Sequence, residues 1–128
     1  MPASPSAFSY LILRVVPSAE RGERLNVGIV LFCRQLGFLG ATAEVVPERL
    51  AALTPAPDAA QLREHLAALG RVADGDPAAG PIAALPASER FGWLAAPSST
   101  IVQPSEAHTG LCTDPAATLR RLHARLVS

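Results

Sequence analysis

Lysine is absent from this chain: all 11 of its basic residues are arginine, and 11 acidic residues balance them to a formal net charge of zero. With no cationic excess, a dominant contact with a phosphate backbone is not expected, and nucleic acid is set aside as a partner. Aromatic residues make up 5% and cysteines number two, Cys33 and Cys112, far apart and in or beside apolar segments. That pattern reads as buried reduced thiols rather than a disulfide framework. No apolar run approaches the roughly 18 to 20 residues that a spanning helix needs, although 49% of the residues are hydrophobic, because much of that fraction is alanine. Residues 1–9 show neither a basic lead nor a long apolar stretch, so no secretory signal is expected and the cytoplasm is the expected compartment. The all-arginine usage, with abundant Ala, Gly and Pro, reflects a GC-rich coding bias and points to bacterial ancestry.

A length of 128 residues suits one domain spanning 1–128, with residues 1–7, rich in Pro and Ser, as a loose lead-in. Phe8 to Val16 carries β-branched and aromatic residues and stops at Pro17, as a strand does. Leu25 to Cys33 is almost continuously apolar, the mark of a central strand, and Gly28 within it leaves room for another group to come close. Phe38 to Val46 alternates, with Leu39, Ala41, Ala43 and Val45 on one side and Thr42 and Glu44 on the other. Pro47 opens a short helix to Leu53. Asp58 followed by Gln61 resembles a capping box ahead of a stripe of Leu62, Leu66, Leu69 and Val72 or Ala73. Residues 74–86 read as irregular chain with a helical turn, Ser88 to Leu94 as a short helix, and Thr100 to Gln103 as a short strand that Pro104 places at an edge. Asp114-Pro115 starts the last helix, whose buried stripe is Leu119, Leu122 and Leu126, with Arg120, Arg121 and Arg125 in water. The expected fold is α+β: an antiparallel sheet of about four strands with the helices, the closing one included, on one face.

The functional signal is a knot of charge between the first two strands: Arg14, then Arg21, Glu23 and Arg24, then Asn26. These residues are close enough in sequence to build an anion pocket. If Val16 lies opposite Asn26, Arg14 faces Gly28, and a one-residue slip undoes this. The competing arrangement, and the expected one, pairs Arg14 with Glu23 at the mouth of the hairpin and leaves Asn26 to hold the loop backbone. A second polar collection contains Ser98, Ser99, Gln103, Ser105, His108 and Asp114. It lacks the Gly-x-Ser-x-Gly elbow of a hydrolase, and Asp114 already has a task as a cap, so no Ser-His-Asp triad is expected. His108 and Cys112 are four apart while His65 and His123 stand alone on helices, so neither metal nor cofactor is expected. His108 is read as a loop histidine and the weak candidate for an acid or base.

Two stretches carry a resemblance. A strand ending in Arg-x-x-Pro (Arg14 to Pro17), the loop Arg21-Gly22-Glu23 and a strand opening Asn26-Val27-Gly28 resemble a bacterial family catalogued as domain of unknown function 3037. The tail resembles it too, in Arg90-Phe91, Ser98 to Ser105, His108 to Leu111 and Asp114-Pro115. The resemblance implies no established activity. It implies a HipA-like serine/threonine kinase as partner, because genes for such kinases lie beside some members. Two functional expectations follow. One is an accessory or regulatory protein acting through protein contacts. The other is an enzyme or binding module for a phosphorylated small molecule or nucleotide, in which Arg14, Arg21 and Arg90 clamp a small anion, Glu23, Asn26, Ser99 and Gln103 line the site, and His108 supplies the proton transfer. Convergence of these side chains in one cavity would favour the second, and scatter over an open surface the first.

Overall fold

The computed structural model describes residues 4–97 and 100–128. Five strands, β1 (Ser6–Val15), β2 (Leu25–Cys33), β3 (Phe38–Ala43), β4 (Val102–Pro104) and β5 (His108–Cys112), form one antiparallel sheet in the order β3-β2-β1-β4, with β5 also on β1. The helices are α1 (Pro47–Leu50), α2 (Ala59–Asp74), α3 (Ala87–Ala95) and α4 (Pro115–Leu126), and two 3₁₀ turns occupy Pro77–Ala84. The α+β class and the antiparallel sheet are as the sequence suggests.

The helices, however, take both faces of the sheet rather than one. Leu11, Leu13 and Val15 of β1 point with Val27 and Val30 toward Leu50, Leu62, Leu66, Val72 and Leu94, which is the α1–α3 side. The alternate residues, Phe8, Tyr10 and Ile12, lie with Ile29, Leu31 and Cys33 on the side of Leu119, Leu122 and Leu126 of α4. A nearly all-apolar β2 demands this: Val30 and Leu31 are both fully buried, and a strand with no polar face needs cover on two sides. Cys33 and Cys112 are free thiols in the α4-side core, and burial, followed by the neighbouring Cys33, pushes the Cys112 thiol up.

β5 lies where a loop is expected. Its sequence His-Thr-Gly-Leu-Cys alternates poorly because the edge strand buries little. Gly110 is there because the Phe8 ring crosses it, 2.7 Å from where a Cβ would stand. β4 and β5 behave as one edge strand with a slip. Leu13 pairs with Pro104 and Tyr10 with His108, and the Ile12 amide donates to Ser105 Oγ while the Ser105 amide returns a bond to the Ile12 carbonyl, both at 2.8 Å. Glu106 and Ala107 are left opposite the single Leu11, the count of a β-bulge.

The caps follow the sequence. Asp58 accepts from the Gln61 amide at 2.9 Å, and Asp114 from the Ala117 amide at 3.1 Å, with Pro115 behind it. Replacing Asp114 with alanine is expected to cost about 1 kcal/mol in urea unfolding. Unchanged stability would show that the cap is dispensable.

Candidate functional site

The site begins with a bulge in β2. Leu13 pairs with Gly28, but Arg14 pairs with Asn26, so Val27 is the extra residue. The conditional register with Val16 opposite Asn26 therefore does not form: Leu13, not Arg14, faces Gly28. The close approach that Gly28 permits comes from the other neighbour, since a Cβ there would stand 2.3 Å from the Thr42 carbonyl oxygen.

On its other side Arg14 pairs with Gln103. Paired residues of adjacent strands share a face, so Asn26, Arg14 and Gln103 form a row across three strands on the α4 side. Tyr10, four residues back and on the same face, pairs with His108 of β5, and their rings stack with centroids 5.1 Å apart. Arg14, Asn26, Gln103 and His108 thus share one side of the sheet. α4 packs chiefly over β2 and β3, and Tyr10, Ile12, Arg14, Gln103 and His108 remain half-buried beside it on an open ledge.

Asn26 and Gln103 are already engaged. The Asn26 amide donates to the Leu126 carbonyl at 2.9 Å, tying down the end of α4 rather than its own loop, and the Gln103 amide donates to the Thr100 carbonyl. Arg14 is not: its Nε is shut off from solvent and has no acceptor among the described residues. A desolvated donor left unpaired costs about 1–3 kcal/mol, so this guanidinium is the least satisfied polar group on the ledge. Glu106 is the nearby acid. Its carboxyl lies below the usual range, held there by its own backbone amide first, then by His108 with Nε2 3.8 Å away, with smaller contributions from Arg14 and Arg24.

Three expected members lie elsewhere. Glu23 pairs with Arg21 at 2.8 Å in the exposed loop, and that hydrogen bond lowers the Glu23 carboxyl and raises the Arg21 guanidinium. The expected Arg14–Glu23 pair is therefore replaced by one between residues two apart, which needs no ordering of the strand. Arg90 is engaged away from the ledge. It donates to the carbonyls of Val72 at 3.0 Å, Ala73 at 2.6 Å and Leu85 at 3.0 Å, capping the end of α2, whose orphan carbonyls attract a cation. Ser99 lies outside the described residues.

One polar constellation escapes sequence reasoning. His123 of α4 meets Thr42 Oγ1 through Nδ1 at 2.7 Å and Glu44 Oε1 through Nε2 at 3.2 Å, and Ser128 Oγ also donates to Glu44. A carboxylate only accepts, so Nε2 donates to Glu44, and in the neutral ring Nδ1 accepts a hydrogen bond from the Thr42 hydroxyl. The order hydroxyl, imidazole, carboxylate resembles a nucleophile with its base. Yet Thr42 Oγ1 also accepts the Ile29 amide at 3.1 Å, and none of the described cavities opens on it, so the array serves as a clamp between α4 and β3. The available signal was Thr42 and Glu44 alternating onto one side at the end of β3; their partner was 81 and 79 residues away, respectively, on a helix.

The largest described cavity, about 390 Å³, opens on the opposite face among Leu13, His65, Leu69, Trp93, Leu94 and Val102. None of Arg14, Arg21, Glu23, Asn26, Arg90, Gln103 and His108 lines it or the two smaller cavities. Among the described residues no group of three His, Cys, Asp or Glu is placed to hold a metal, and no helix is long and apolar enough to cross a membrane.

The row built around the bulge and the Asn26-Val27-Gly28 strand fall within the span matched by a family model described as "Protein of unknown function (DUF3037)", residues 10–127. The chain belongs to this family. No curated protein and no solved structure matches it. The DUF3037 match includes β2 to β5, all four helices and β1 from Tyr10 onward, so the ledge and the clamp are both parts of the family domain.

Proposed function

We propose that this DUF3037 chain is a small accessory or regulatory protein that works through protein contacts, with a HipA-like serine/threonine kinase as its partner. One observation carries the reading: Arg14, Arg21, Glu23, Asn26, Arg90, Gln103 and His108, the described residues that could have held an anion, lie along an open ledge or in structural pairs, and none of them lines a described cavity. The ledge has the composition of a contact surface. Tyr10 stacked on His108 offers a rigid aromatic platform with Ile12 beside it, and Arg14 supplies a guanidinium whose Nε has no acceptor among the described residues. Tyrosine and arginine are the types that dominate binding energy at interfaces. The kinase as partner rests on the family resemblance.

Affinity capture of the tagged chain from the native bacterium, read by mass spectrometry, tests this. The HipA-like kinase is expected among the enriched proteins, and Tyr10→Ala is expected to reduce its recovery by about tenfold, a typical loss for an interface anchor. Recovery of the kinase at background level, or equal recovery with Tyr10→Ala, would count against the kinase and the ledge respectively.

A further inference from the structure

Beyond the contact reading, we propose that Arg14 anchors a binding site for a small oxyanion of the phosphate class, on the open ledge between Asn26 and Gln103. The inference starts from the hydrogen-bond inventory of one guanidinium. Nε is buried without an acceptor among the described residues, while neither Nη nitrogen bonds to a described residue or counts among the fully buried unpaired atoms, and the residue as a whole is half-buried. Arginine keeps its charge at any pH a protein survives, so the charge is permanent and partly desolvated. Its neighbours do not answer it: the Asn26 and Gln103 amides are turned to the Leu126 and Thr100 carbonyls. What remains is the outer Nη edge, two parallel donors whose spacing matches two oxygens of a phosphate.

The surrounding charge favours an anion. Arg24 and His108 influence the same Glu106 carboxylate as Arg14 does, so at least two permanent positive charges share this region with one acid. Two features oppose binding. Glu106 repels an incoming anion, but it is exposed and sits beside His108 rather than on Arg14. The negative end of α4 lies beyond Asn26, but Asn26 and Arg49 already occupy its Leu126 and Val127 carbonyls. The site is a ledge and not a pocket, which suits a small, heavily charged group better than an apolar ligand.

The test needs no partner protein, so its outcome is separable from that of the contact reading. Inorganic phosphate is titrated into the labelled chain at constant ionic strength, with chloride and acetate as comparison series, and the arginine Nε–H and side-chain amide resonances are followed by NMR. A saturable shift of the Arg14 Nε–H and the Gln103 and Asn26 amides is expected with phosphate, and a much weaker one with acetate. Arg14→Lys, which keeps the charge but loses the fork, is expected to weaken binding about tenfold or more, while Arg21→Gln in the exposed loop leaves it unchanged. Shifts that fail to saturate, that are equal with chloride, or that persist unchanged in Arg14→Lys would overturn the proposal. Should Arg14→Lys fold poorly, the wild-type titration against chloride decides by itself.

Discussion

Gly28→Ala is expected to destabilise the fold by about 3 kcal/mol, the upper end of what overpacking a well-filled interior brings. The added Cβ would stand 2.3 Å from the Thr42 carbonyl oxygen, 3.3 Å from its carbonyl carbon and 3.4 Å from Leu13 Cδ1. Only the last contact belongs to a side chain that can turn aside. Relief otherwise requires prying β3 from β2 where the Glu44 amide bonds the Val27 carbonyl at 2.8 Å and the Ile29 amide bonds Thr42 Oγ1. The His123 clamp sits on the same Thr42, so the strain reaches α4 as well. Gly92→Ala is the control. It lies inside α3 with nothing near the new Cβ, and alanine there is expected to be neutral or stabilising by up to about 1 kcal/mol. Urea unfolding of the two variants checks the pair, and equal stability would mean that β2 and β3 are not packed this closely.

Leu11→Ala is expected to cost about 2–5 kcal/mol. Leu11 is 0% exposed in the middle of β1, the strand that β2, β4 and β5 all pair with, and its side chain points into the larger core under α2 and α3. Because β2 pairs with Leu11 itself and the far edge holds its neighbours Tyr10 and Ile12 through His108 and Ser105, the hole left by truncation has little scope to collapse. Leu111→Ala, the same change at a site 68% exposed on β5, is expected to stay within about 0.5 kcal/mol. A small loss at Leu11, or a comparable one at Leu111, would show that the core is not centred on β1.

What the sequence reveals and hides follows the range of the interactions. Strands β1 to β3, helix α2 and the caps Asp58 and Asp114 are legible because alternation, heptad-like spacing and a capping carboxylate act over a few residues. β5 is not, since Thr109 and Leu111 are exposed on an edge that needs no apolar alternation. The register of β1 on β2 turns on Val27, a bulge residue that looks like any other apolar strand residue. The Arg14–Glu23 expectation fails because Arg21 reaches Glu23 from two residues away, and Arg90 goes to a helix end that sequence does not place near it. The grouping of Arg14, Asn26, Gln103 and His108 on one face follows from two long-range pairings that only the topology supplies. The Thr42–His123–Glu44 clamp is hidden for the same reason.

Isothermal titration calorimetry between the purified chain and a purified HipA-like kinase, the proposed partner, tests the contact reading most directly. Saturable binding is expected, with a Kd of about 1 μM or tighter, equivalent to about −8 kcal/mol. Tyr10→Ala, tested as a folded variant, is expected to weaken it about tenfold, and Arg120→Ala, on the exposed side of α4, to leave it unchanged. No heat of binding at concentrations of about 100 μM, well above that Kd, would contradict the account.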